Sequence, residues 1–118
     1  MPITKKYDLE DCTYEFAKKV RLEMRNFKAN IYNTDDVRQV IRSSGSIGAN
    51  YIEANEALSP KDFLYRVRVS RKEAKETVFW LKLLSETNGL NDNKEMQYLS
   101  NEAIELKKIL SSIIEKSK

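Results

Sequence analysis

Histidine is missing from all 118 residues of this chain, and that absence removes whole classes of chemistry. Di-iron carboxylate bundles need a Glu-x-x-His pair on two helices. The usual zinc sites draw on His and Cys together. Ser–His and Cys–His nucleophilic centres, and helical ribonucleases built on an Arg and a His, need an imidazole. Cysteine is nearly as scarce: Cys12 stands alone, so no intrachain disulfide can form and a reducing compartment is the default. No run approaches transmembrane length, and the opening MPITKKYDLEDCTYEF holds no apolar stretch of signal-peptide length. The expectation is a cytoplasmic protein with no membrane partner. Glycine and proline are few, three and two, which leaves long stretches of Glu, Lys, Leu, Ala and Arg that favour helix. Strand signals, linkers, low-complexity tracts and internal repeats are absent, and so is a Gly-x-x-x-x-Gly-Lys-Ser/Thr phosphate loop.

What is present reads as four amphipathic helices in one domain, an up-down-up-down four-helix bundle of the all-α class. The first is predicted over about 9–30, after a short lead-in at residues 1–7. Leu9, Cys12, Phe16, Val20, Met24, Phe27 and Ile31 recur there at three- and four-residue steps. The second is predicted over about 34–57, capped by Asn33 or Thr34, with Asp35 and Asp36 in its first turn. Val37, Val40, Ile41, Ser44, Gly45, Ile47, Gly48, Tyr51, Ile52, Ala54 and Leu58 cover about half its circumference. Gly45 and Gly48 each cost roughly 1 kcal/mol relative to alanine inside a helix, and close approach of a neighbouring backbone would repay that. The Gly45–Gly48 spacing also matches the bare GxxG of KH-type nucleic-acid clamps. The αα–β surroundings of that loop are missing, which favours close packing.

Ser59 caps a third helix, about 60–87, with Pro60 in its first position, and Asn88-Gly89 ends it. Phe63, Val67, Ala74, Val78, Leu81 and Leu84 follow its core stripe. Asp92, with Glu95 three residues on, is predicted to cap a fourth helix over about 92–115, and the tail beyond is expected to fray. Met96, Leu99, Ala103, Leu106, Leu110, Ile113 and Ile114 form its single apolar stripe.

The third helix carries more than its core stripe needs. Tyr65, Val69, Phe79, Trp80 and Leu83 fall away from the core positions. They are candidates for a subunit interface, since a chain this short gains burial by assembling with itself. Residues 59–89 hold seven Lys/Arg against four Asp/Glu, a local +3 equal to the net charge of the whole chain. Arg68, Arg71, Lys72 and Lys75 make a basic stripe with like-charged i,i+4 pairs, each destabilising by about 0.2–0.5 kcal/mol. Phosphate would offset that repulsion, which makes these four the first nucleic-acid-binding candidates, with Lys18, Lys19, Arg21 and Arg25 of the first helix behind them. A solvated or internally paired face is the competing reading. Arg71 at the edge of the core calls for a carboxylate, and a structural network of Arg42, Glu53 and Arg71 is expected between helices two and three. An all-carboxylate metal site at Glu53, Glu56, Glu73 and Glu76 is conceivable, but at helical spacing such groups are more often solvated or paired. No metal, cofactor or catalytic residue is assigned.

Four segments in order carry a family resemblance: Arg42–Ser44, Ala49–Ala54, Ser59–Phe63 and Lys72–Leu81. Together they resemble the four-helix-bundle family named after proteins encoded by intervening sequences in bacterial 23S ribosomal RNA genes. The resemblance implies a left-handed bundle that assembles into a homopentamer and has no established catalytic activity. A related accessory protein of diversity-generating retroelements is a basic pentamer that binds nucleic acid and partners a reverse transcriptase. By that resemblance the expected partners are further copies of the chain and RNA or DNA. Five copies would raise the net charge of +3 to about +15.

Overall fold

The computed structural model describes residues 8–118, which form α1 (Leu9–Met24), α2 (Thr34–Asn55), α3 (Pro60–Thr87) and α4 (Lys94–Ser117). The expected lead-in at residues 1–7 lies outside the described residues. No strand occurs among those described, and no helix there is long and apolar enough to cross a membrane.

Short polar side chains start three of the helices by accepting a free backbone N–H, as N-caps do. Asp8 accepts from Asp11 N at 3.4 Å, Ser59 from Asp62 N at 3.1 Å, and Asn93 from Met96 N at 3.0 Å. The cap of α4 is therefore Asn93 rather than Asp92, and the helix runs on to Ser117 instead of fraying after Glu115. Asn33 stands at the N-cap of α2 without capping it. Its buried amide is used elsewhere: it exchanges two hydrogen bonds with the amide of Asn88, at 3.2 and 3.0 Å, and donates to Lys28 O. That pair ties the α1–α2 connection to the end of α3. Gly89 follows with φ +66°, the left-handed position that favours glycine at a helix end.

The first helix ends at Met24, six residues short of the expectation. Asn26 N and Phe27 N close i→i+3 bonds to Glu23 O and Met24 O, tightening the last turn. Asn30 Oδ1 then accepts from Tyr32 N and Asn33 N, an Asx-type turn that competes with helix. Phe27 still packs against the core from outside the helix, whereas Ile31 is 88% exposed and is not a core residue.

The apolar stripes of the four helices meet in one cluster that includes Phe16, Val20, Val40, Ile47, Val67, Leu81, Leu84, Leu99, Leu106 and Leu110. Ile52 and Leu58, predicted on the apolar face of α2, are exposed. Around the bundle, α1 packs on α2 and α4, and α3 packs on α2 and α4. Neither α1 with α3 nor α2 with α4 makes contact, so each of those pairs is diagonal.

The two glycines of α2 behave differently. A Cβ on Gly48 would lie 2.7 Å from Thr13 Oγ1 and 3.1 Å from Thr13 Cβ, so its absence lets α1 lie directly against α2. A Cβ on Gly45 would meet only the tip of Arg21, at 3.0 Å.

Candidate nucleic-acid interface

A band of polar contacts fixes α3 on α2. Ser43 Oγ and Thr77 Oγ1 share a buried hydrogen bond of 2.8 Å, and Thr77 Oγ1 also donates to Glu73 O. Ser70 Oγ donates to Ile47 O at 2.7 Å, and Arg66 donates to Asn50 Oδ1 at 3.1 Å. Position numbers on α3 fall as those on α2 rise, so the two helices are antiparallel. In that register Arg42 reaches Glu73 at 3.2 Å and also pairs with Glu76.

The polar network therefore exists, but its partners differ from the expected Arg42, Glu53 and Arg71. Glu53 lies eleven residues beyond Arg42 on α2, about 16 Å along the axis, and is exposed. Arg71 precedes Glu73 by two residues and so sits about 160° round α3 from it. The relative slide of two antiparallel helices decides such pairings, and Glu73 is buried where Arg42 can serve it. The same slide separates Glu53 and Glu56 from Glu73 and Glu76. Among the described residues no three His, Cys, Asp or Glu side chains gather as a metal site.

Glu76 links this network to the surface. The indole Nε1 of Trp80 donates to its carboxylate at 2.9 Å. That bond, together with the Arg42 guanidinium, holds the Glu76 carboxyl below its usual pKa against the opposing effect of burial. Trp80 packs on the core, and its ring meets Phe79 edge-on at 4.8 Å between centroids and 80° between planes. At the other end of α3, Arg66 lies 5.7 Å from the ring centroid of Tyr65. Both Tyr65 and Phe79 remain open to solvent, 61% and 57% exposed. The predicted interface set thus divides: Tyr65 and Phe79 point outward, while Val69, Trp80 and Leu83 are half-buried.

At 100° per residue, Lys61, Tyr65, Arg68, Lys72, Lys75, Phe79 and Lys82 share about a third of the circumference of α3, opposite its core stripe. All seven are exposed. Among the described residues none of the five cations is in an ion pair. Arg71 stands at the edge of this face and is half-buried. The helical step alone carries this grouping, and it was available in the sequence; sorting aromatics and cations into separate roles hides it.

The α1 candidates are exposed as well, but the diagonal arrangement puts them on the far side of the bundle from α3. Two already serve packing. Lys19 Nζ donates to Tyr98 Oη at 3.1 Å and lies 5.0 Å from its ring centroid, and the hydrogen bond raises the lysine's pKa. Arg21 donates to Ile41 O at 3.0 Å across the α1–α2 seam. Lys18 and Arg25 are left, too few to match the α3 face. At Cys12 burial, with Glu102 and two aspartates nearby, pushes the thiol pKa up, which disfavours the thiolate.

Comparison with known proteins bears on this arrangement. The family description "23S rRNA-intervening sequence protein" matches residues 5–112. The chain is also similar to a crystal structure of a protein with unknown function from the S23 ribosomal protein family of Bacteroides thetaiotaomicron VPI-5482. The two are 32% identical with a TM-score of 0.80, over 91% of this chain and 98% of that one. No curated protein matches the sequence.

Proposed function

Since the chain belongs to the 23S rRNA-intervening sequence protein family, we propose that it is a non-enzymatic, homo-oligomeric helical bundle that binds RNA or DNA through the outer face of α3. One observation carries this. Five exposed cations on that face, Lys61, Arg68, Lys72, Lys75 and Lys82, form no ion pair among the described residues, and only Lys72 lies near enough to Glu76 to act on its charge. Of the acids beside this face, Glu76 is occupied by Arg42 and Trp80, and Glu86 shares the face only at its C-terminal end, four residues past Lys82. A stripe of cations that repel one another along a helix is costly unless an anion answers it, and a polyanion gains by releasing its counterions there. The α1 cations, on the opposite side of the bundle, take no part in the same contact.

Self-association, pentameric as the family resemblance implies, would repeat this stripe around a ring and add its fields. A second face supports assembly without covering the cations. Tyr14, Leu22 and Ile52 are exposed beside the small residues Gly45, Gly48 and Ala49, in a groove between α1 and α2. Light scattering at micromolar concentration reads the mass directly, and a monomer there would overturn the assembly.

Binding is tested with a structured RNA and a DNA duplex at low ionic strength. If four or five phosphates are neutralised, log K for the DNA duplex should fall against log salt with a slope of about −3.6 to −4.5, and Lys72→Gln with Lys75→Gln should flatten it. Absence of binding to any nucleic acid at low salt would leave a scaffold role in its place.

A further inference from the structure

Resting on the nucleic-acid reading, we infer that the outer face of α3 takes single-stranded nucleic acid, with Tyr65 and Phe79 as stacking platforms at the two ends of a phosphate-binding stripe. The cations alone do not distinguish strand forms, because phosphates are common to all. The aromatics do.

Phe79 is exposed but not loose. Its ring is set edge-on by Trp80, Trp80 is held through its indole N–H by Glu76, and Glu76 is held by Arg42. Tyr65 has a similar brace, since Arg66 lies against its ring and is fixed by Asn50. Two solvent-facing rings thus keep their orientation through contacts that reach back to α2. A ring braced in this way loses little freedom when a base stacks on it, which is what a platform requires.

The spacing suits a strand. Fourteen residues separate the rings, about 21 Å along the helix, with Arg68, Lys72 and Lys75 between them. That distance fits on the order of four to six nucleotides, toward the low end of site sizes for a single module. A duplex fits poorly: its bases are stacked on one another and closed to side-chain rings. The stripe also offers no Asn or Gln to read adenine in a major groove.

The full-length protein is titrated into labelled oligouridine, and separately into an RNA duplex of matched length, at the same low salt. The expected result is single-strand binding at least 10-fold tighter than duplex binding. Tyr65→Leu and Phe79→Leu should each weaken the single strand by about 10-fold or more and leave the duplex within twofold. Trp80 is the sole tryptophan and its ring touches Phe79, so its fluorescence should change on binding oligouridine in the unmodified chain. Equal affinity for both strand forms overturns the inference, as do leucine variants that bind like the parent. In either case the phosphate-binding reading survives if Lys72→Gln with Lys75→Gln still weakens binding. No binding by the unmodified chain to either probe removes both readings.

Discussion

Adding one methyl group at Gly48 tests how α1 is held. Alanine in place of an interior helical glycine should stabilise by about 0.8–1 kcal/mol through backbone entropy alone. Here the new Cβ would lie 2.7 Å from Thr13 Oγ1 and 3.1 Å from Thr13 Cβ. Thr13 cannot swing away freely, because it is buried and its hydroxyl donates to Glu10 O at 2.9 Å. Overpacking of this kind costs about 1–3 kcal/mol, so Gly48→Ala should be destabilised by up to about 2 kcal/mol net. Gly45→Ala is the internal control. Its Cβ meets only the flexible tip of Arg21, so it should be neutral or gain up to about 1 kcal/mol. Urea unfolding followed by circular dichroism at one fixed protein concentration, since assembly would shift the midpoint, should separate the two variants in opposite directions. Thr13→Ala removes the nearer clash but leaves the Cβ, so the double variant with Gly48→Ala should recover part of the loss. Two glycine variants that shift the midpoint equally would refute the assignment of Gly48 to the α1–α2 contact.

Other perturbations probe the polar band. Thr77→Val leaves the buried Ser43 hydroxyl without its partner and should cost about 1–3 kcal/mol, whereas Ser43→Ala should cost less because Thr77 keeps its bond to Glu73 O; thermal unfolding of the two variants ranks them. The folded-state pKa of Glu76 is lowered, so its ionised form stabilises the fold above the unfolded-state pKa, and that contribution disappears as pH falls through the folded value. Stability measured between about pH 5 and pH 3 should therefore decline less steeply in Glu76→Gln than in the parent chain, and identical slopes would dismiss the Trp80–Glu76–Arg42 link. Asn88→Ala strips Asn33 of its buried amide partner and should lower the melting midpoint by several degrees, about 4 °C for each kcal/mol lost.

Helix number, the core positions of α4, the Ser59-Pro60 start and the Gly89 stop were legible because each depends on local periodicity or backbone chemistry. So was the close approach at Gly48, since a helix carrying two glycines needs a packing reason. The network partners of Arg42 were not legible. Periodicity places Arg42, Glu53 and Arg71 round their own helices but says nothing about how far α3 slides along α2, and a shift of one turn exchanges every partner. The end of α1 was misread for a different reason: Phe27 and Ile31 continue the apolar spacing, while the Asn30 side chain takes the backbone N–H groups of Tyr32 and Asn33 in a turn that competes with helix. The diagonal placement of α1 and α3 follows from the up-down-up-down order itself, and it turns a two-helix basic face into a one-helix face.

The cross-links between α2 and α3 also carry a kinetic consequence. Arg42 with Glu73 and Glu76, Ser43 with Thr77, Ser70 with Ile47 and Arg66 with Asn50 all join two consecutive helices across one short connection. Of the helix pairs, α2 and α3 also share the most extensive contact, and α1 packs least on its neighbours. The α2–α3 hairpin should then be the last part of the molecule to open and exchange its amide hydrogens, and α1 the first. The stripe of α3 rides on that hairpin, so a ligand would meet a surface that persists even while the rest of the bundle breathes.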